Sequence, residues 1–114
     1  MIQAHDLRIG NWVNYIDGKP IQWEAEDFSN PYMQDISSPI PLSPEILEKA
    51  NIKYNSTHDW WVISGEYCVQ WDSKFWLQRL LGDEDLVTLF ELTSLSHLQN
   101  AVYFITGTEL NIQL

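Results

Sequence analysis

Residues 60–72, Trp60-Trp61-Val62-Ile63-Ser64-Gly65-Glu66-Tyr67-Cys68-Val69-Gln70-Trp71-Asp72, hold two apolar runs split by a Ser-Gly pair. Successive side chains of a strand leave by opposite faces. Tyr67, Val69 and Trp71 therefore share one face, and Glu66, Cys68, Gln70 and Asp72 the other. Ser64-Gly65 is turn chemistry, so the stretch predicts a β-hairpin. Trp60 and Trp61 cannot both point into the same apolar layer, and one indole must leave it.

Outward from this hairpin the pattern continues. Residues 74–81 and 86–92 are further apolar runs, and Gly82-Asp83-Glu84-Asp85 between them is a third turn. Leu86, Val87, Leu89, Phe90 and Leu92 predict a strand buried on both faces. Upstream, Ser43-Pro44-Glu45 is a helix start. Ser43 serves as N-cap, Pro44 suits the first helical position, and Glu45 complements the dipole. Ile46, Leu47 and Ala50 give this short helix an apolar face, and Asn51 can take the left-handed conformation that ends it. Residues 29–41, with Asn30-Pro31 and prolines at 39 and 41, predict a loop.

Nearer the start, residues 7–16 read as a strand with Leu7, Ile9, Val13 and Tyr15 on one face, Asn11 being the exception. Asp17-Gly18 is the favoured pair for a tight type I′ hairpin turn. In residues 20–28, Ile21, Trp23 and Ala25 alternate with Gln22, Glu24 and Glu26, the pattern of a return strand. At the other end Leu95, Leu98, Ala101, Val102 and Ile105 recur at helical spacing, with Thr93 or Ser94 to cap the start and Gly107 the end. The expected architecture is a single globular α+β domain over residues 1–114. It is a small antiparallel sheet of about five or six strands in successive hairpins, with one short and one longer C-terminal helix.

Composition narrows the function. The chain carries 16 Asp and Glu against six Lys and Arg, a formal net charge of −10. Arg8, Lys19, Lys49, Lys53, Lys74 and Arg79 are dispersed, with no stripe to neutralise phosphates. Nucleic acid and anionic membranes are therefore poor partners. A negative charge of this size favours cationic partners, and six tryptophans supply the residue type most enriched at binding hot spots. Apolar residues make up 45 % of the chain, the opposite of a disordered composition. Cys68 stands alone, so no intrachain disulfide forms, which fits a reducing cytoplasm. Residues 1–10 have no apolar run and place Asp6 beside Arg8, unlike a signal peptide, and no run nears the ~20 apolar residues of a membrane span.

Three landmarks stand in order along the chain: Asp6-Leu7-Arg8-Ile9-Gly10-Asn11, then Ile40-Pro41-Leu42-Ser43, then His97-Leu98-Gln99-Asn100 through Thr106-Gly107-Thr108-Glu109-Leu110. In this order they resemble a family of small proteins of Bacteroidetes bacteria and their phages and prophages. Its members read LRIGN, then IPLTEEWL, then HQLQNLYFALTGEEL. The resemblance spans nearly the whole chain, and its last motif is the most specific. Ser43-Pro44-Glu45-Ile46 departs from the family's Thr-Glu-Glu-Trp, and Asn51 stands where the family has a glycine. The resemblance implies a mobile-element setting and a shared fold, and it implies no reaction.

The candidate sites each have a plain structural counterpart. His97, near the start of the last helix with Asn100 one turn on, is either a catalytic base or a packing histidine. His5-Asp6 and His58-Asp59 lack any recognised metal spacing, so no metal is expected. Cys68 lies on the polar face among Glu66, Gln70 and Asp72, which disfavours a thiolate. Trp23 and Trp71 belong to the core. Trp60, Trp61 and Trp76 are the candidates for an exposed aromatic patch, or else for a second core layer. Glu24, Glu26 and Asp27, and Asp83, Glu84 and Asp85, are either solvated surface or carboxylates placed to mimic phosphates in a basic groove. The expected function is a non-enzymatic, cofactor-free acidic module in the cytoplasm of a bacterial host. It would inhibit a basic nucleic-acid-handling protein, such as a CRISPR effector, as anti-CRISPR and other counter-defence proteins do. The alternatives are an accessory subunit of a phage assembly and a small hydrolase or ligand-binding domain centred on His97.

Overall fold

The computed structural model describes residues 2–82 and 85–114. The protein is α+β, with a two-stranded sheet, a five-stranded antiparallel sheet, short helices and a longer C-terminal helix. The chain divides into two compact units, one built on residues up to 41 with 94–110, the other on 42–93.

In the first unit the chain turns where a strand was expected. Gly10 has φ +89, and its N–H donates to the Trp23 carbonyl at 2.8 Å. Only Trp12–Asn14 (β1) is extended, pairing antiparallel with Pro20–Gln22 (β2). Ile9 consequently lies in solvent rather than beside Leu7 and Val13. The β1–β2 connection also differs from the type I′ expectation. Among its residues only Gly18 has positive φ, at +83. The Gly18 N–H donates to the Tyr15 carbonyl, and the Tyr15 N–H to Lys19. This is a three-residue loop, a turn closed by a left-handed glycine. The return strand stops at Gln22 and gives way to a 3-10 turn at Ala25–Ser29.

Asn30-Pro31 starts a helix, Pro31–Ile36 (α1), inside the expected loop. The Asn30 side chain accepts the Tyr32 N–H, and proline occupies the first helical position. Ile2, Leu7, Val13 and Trp23 form the core here, with Ala4, Ile21, Phe28 and Met33 against it. Leu95–Thr106 (α3) matches its expectation. Ser94 Oγ accepts the His97 N–H, and Gly107 caps the end at φ +72. Leu95, Leu98, Ala101 and Val102 are buried.

The second unit opens with Pro44–Lys49 (α2), capped by Ser43 as its sequence predicts, with Leu47 fully buried. Asn51 follows at φ +60. Then come Lys53–Asn55 (β3), Trp60–Val62 (β4), Tyr67–Trp71 (β5), Phe75–Leu80 (β6) and Leu86–Leu92 (β7), in sheet order β3-β4-β5-β6-β7. Each strand pairs antiparallel with the next in sequence. The Ser64-Gly65 turn is present, with Ile63 N–H donating to the Tyr67 carbonyl at 3.0 Å. Of the third turn, Asp83 and Glu84 lie outside the described residues. Leu81 N–H donates to the Asp85 carbonyl beside them.

Two sheet expectations are corrected. β7 is not buried on both faces. It lies at the end of the sheet order with β6 as its one strand neighbour among the described residues, and Val87, Leu89 and Phe90 are exposed. Cys68, assigned to a polar face, is fully buried.

Candidate partner-binding surface

The register of the large sheet sets one row of side chains across all five strands. Tyr54 is opposite Trp61, Trp61 opposite Val69, Val69 opposite Leu77, and Leu77 opposite Phe90. Trp71 and Phe75 pair beside this row on the same face. Neighbouring rings are in contact: Tyr54–Trp61 at 5.0 Å between centroids, Trp61–Phe75 at 5.8 Å and Trp71–Phe75 at 4.7 Å. Such spacings suit tilted and edge-to-face packing, which locks each ring by its neighbour. Val69 and Leu77 at the middle of the row are fully buried. The margins break surface: Trp71 is 56 % exposed, Tyr54 48 % and Phe90 42 %. Beside Tyr54 and Trp61 an open groove of about 800 Å³ runs along one side of α2, lined by Pro44, Glu48, Asn51, Ile52 and Lys53. Pro44, Glu48 and Asn51 recur at helical spacing, so α2 and its end form one wall. The Tyr54 hydroxyl donates to the Asp59 carboxylate.

The tryptophans named by sequence fall differently from one another. Trp60 is buried at 8 % exposure, with its ring stacked 4.5 Å from that of His58, and is withdrawn from the surface. Trp61 and Trp76 are half-buried, and Trp76 Nε1 donates to the Asp72 carbonyl at 3.3 Å. Trp71, expected in the core, is the most exposed of the sheet aromatics. Its alternation is right, but as the last residue of β5 it stands beyond the covered centre. Tyr54 and Phe90 were not singled out by sequence. Strand order placed them at the two ends of the row, and local periodicity carries no signal of strand order.

The acidic clusters separate as well. Asp27 is turned to the backbone, its Oδ2 accepting the Glu24 N–H at 2.7 Å at the head of the 3-10 turn. Glu24 and Glu26 are exposed. Asp85 is exposed, and Asp83 and Glu84 lie outside the described residues.

In the first unit, the motif residues at the two ends of the sequence converge. Arg8 Nε donates to Asn100 Oδ1 at 2.8 Å, and its two Nη atoms meet Glu109 at 2.6 and 3.2 Å in a forked pair. The Arg8 guanidinium lies 4.3 Å over the Tyr103 ring. Asn11 Oδ1 accepts the Arg8 N–H at 2.6 Å, and Asn11 Nδ2 donates to Asn100 at 2.9 Å. Gln99 Oε1 accepts the Trp12 N–H at 2.8 Å, and Gln99 Nε2 donates to the Gly10 carbonyl at 3.3 Å. Asn100 Nδ2 donates to the Asp6 carbonyl at 3.1 Å. Asn11 and Gln99 are buried. The cluster satisfies backbone groups that the Gly10 turn leaves without strand partners, so its chemistry is structural.

His97 is half-buried in the first turn of α3, its N–H on Ser94 Oγ at 3.2 Å. Burial pushes the Cys68 thiol from its ordinary 9.0 up to about 11. The thiolate is disfavoured, as expected, but by desolvation rather than by acidic neighbours. Among the described residues, no group of three or more His, Cys, Asp or Glu is placed to hold a metal ion. No described helix is long and apolar enough to cross a membrane. No family model, curated protein or solved structure matches the chain.

Proposed function

We propose that the chain is a non-catalytic protein-binding module that docks the aromatic margin of its large sheet on a basic, nucleic-acid-handling host protein and blocks it. The observation that carries this reading is the exposure of Trp71, Tyr54 and Phe90 on one sheet, in a chain of net charge −10. Large rings in solvent are anchors that a partner desolvates, and the charge steers a cationic partner toward them. The sequence resemblance supplies a mobile-element setting, and in that setting we read the module as acting in the bacterial cytoplasm against host defence, in the manner of an anti-CRISPR.

Affinity capture from the bacterial host, followed by surface plasmon resonance at several salt concentrations, tests it. Association should slow as salt rises, because screening acts over ~8 Å at physiological ionic strength. A salt-independent association rate, or a captured partner with an acidic face, contradicts it.

One observation favours a second reading. β7 is seven residues long, largely apolar and, among the described residues, flanked by one strand only, which suits a subunit that completes another protein's sheet in a phage assembly. In that case a proline at Val87 should abolish assembly without salt dependence.

A further inference from the structure

The groove beside α2 joins an aromatic floor to a helical wall. The floor is the cross-strand pair Tyr54 and Trp61, whose rings meet at 5.0 Å between centroids, and Trp61 also rests against Phe75 at 5.8 Å. Pro44 and Glu48 come from α2, and Lys53 from β3. Pro44, Glu48, Lys53 and Tyr54 are all exposed, so the groove is an open trough rather than a closed pocket. Its volume of about 800 Å³ lies in the range of small-molecule sites, but those enclose most of their ligand's surface. An open trough suits an extended segment of chain.

The polar groups decide which segment. Trp61 Nε1 makes no hydrogen bond among the described residues, and unlike the indole nitrogen of Trp12 it is not sealed from solvent. It is a donor open to an incoming acceptor. Glu48 and Lys53 make no ion pair among the described residues, so one offers a carboxylate and the other further donors. The floor between them is ring carbon, and the Tyr54 hydroxyl already donates to Asp59. An ordinary peptide laid on ring carbon leaves its N–H groups without acceptors. Proline has no N–H and keeps a carbonyl acceptor. A run of prolines also holds the polyproline II conformation before it binds, so little freedom is lost on docking.

We propose that this groove takes a proline-rich segment of the partner in the polyproline II conformation. Its proline rings lie on Tyr54 and Trp61, one of its carbonyls accepts from Trp61 Nε1, and a basic residue flanking it meets Glu48. The assignment rests on the chain being a protein-binding module and deepens that reading by naming what the module grips. It also suits β3, which at three residues is too short to hold a peptide by strand addition, so that side chains must do the holding.

The test uses the full chain labelled with ¹⁵N and titrated with acetyl-Pro-Pro-Pro-Pro-Arg-amide, with acetyl-Arg-Pro-Pro-Pro-Pro-amide, and with versions of both in which alanine replaces proline. A proline peptide should give saturable shifts at the Trp61 indole N–H, the signal that Trp61→Phe removes. The alanine versions should bind at least about tenfold more weakly, since they lose the pre-set conformation and lay N–H groups on ring carbon. Trp61→Phe keeps a ring without the donor and should weaken binding about fivefold. Tyr54→Ser strips an exposed ring from the floor and should weaken it at least as much, which keeps the test decisive if Trp61→Phe melts lower. Glu48→Gln should weaken the arginine-flanked peptide about threefold and leave unflanked tetraproline unchanged. Equal response to the proline and alanine peptides overturns the assignment, and so do shifts confined to other indoles or full affinity in a folded Tyr54→Ser variant. Proline binding alongside a captured partner with an acidic face would leave the groove standing and remove the basic-partner reading. A basic partner captured while neither proline peptide binds would do the reverse.

Discussion

Arg8, Asn11, Gln99 and Asn100 in the first unit hold one another, and the backbone around them, through hydrogen bonds of 2.6 to 3.5 Å. In the sheet unit, Tyr54, Trp71 and Phe90 carry large rings into solvent, and Gln78 keeps a buried oxygen unpaired. A cluster of histidine-adjacent amides and a forked arginine has the look of an active site, yet its polar groups are committed to joining chain ends 87 to 101 residues apart. The sheet unit is a plain β-meander whose margin carries exposed rings, and the first unit carries exposed rings of its own at Tyr32 and Phe104. Polar residues brought together do not by themselves make a site.

The largest expected effect falls on the first unit. Asn11→Ala strips the acceptor of the Arg8 N–H and the donor to Asn100, and should cost about 3 kcal/mol of stability by denaturant unfolding, since buried groups lose their partners. A cost under about 0.5 kcal/mol would mean the cluster is surface decoration rather than a lock. The next effect belongs to the sheet. The Cys68 thiol is held neutral in the folded state, with its pKa raised from 9.0 to about 11. The stabilisation it confers is complete below pH 9.0 and is lost as pH rises through about 11, because above 9.0 the unfolded chain sheds a proton that the folded chain keeps. The loss should amount to roughly 2–3 kcal/mol of linkage, read by unfolding at a series of alkaline pH values and absent in Cys68→Ala. The smallest effect sharpens the turn assignment. Gly18 has φ +83, and a Cβ there would meet nothing within 4 Å, so Gly18→Val should cost only the left-handed conformation, about 1–2 kcal/mol. Gly18→Asn should recover much of that. Equal losses for Val and Asn would point to packing instead.

Legibility in the sequence followed the range of the interactions. The Ser64-Gly65 hairpin, the Ser43 cap and the α3 face were readable because turns, caps and periodicities act over a few residues. Asn30-Pro31 used the same cap-and-proline grammar as Ser43-Pro44, but the prolines downstream made the segment look like loop, and α1 was missed. The apolar run of β7 reads as a strand buried on both faces, and only sheet order shows that it lies at an edge. The Arg8–Asn100 cluster was visible as two motifs but not as one structure, since nothing local shows that they meet. Trp71 was placed on the right face and the wrong side of the surface, because a strand's last residue can leave the core that its centre occupies.

In the proposed function, binding resides in the sheet unit and the polar cluster serves folding alone. With the captured partner on the sensor surface, Trp71→Ala should speed dissociation roughly 30-fold, a hot-spot loss of about 2 kcal/mol, while the melting temperature stays close to that of the parent chain. Asn100→Ala should do the opposite, lowering the melting temperature and leaving the dissociation rate of the folded protein unchanged. If Asn100→Ala speeds dissociation and Trp71→Ala does not, the roles of the two units are reversed and binding does not reside in the sheet.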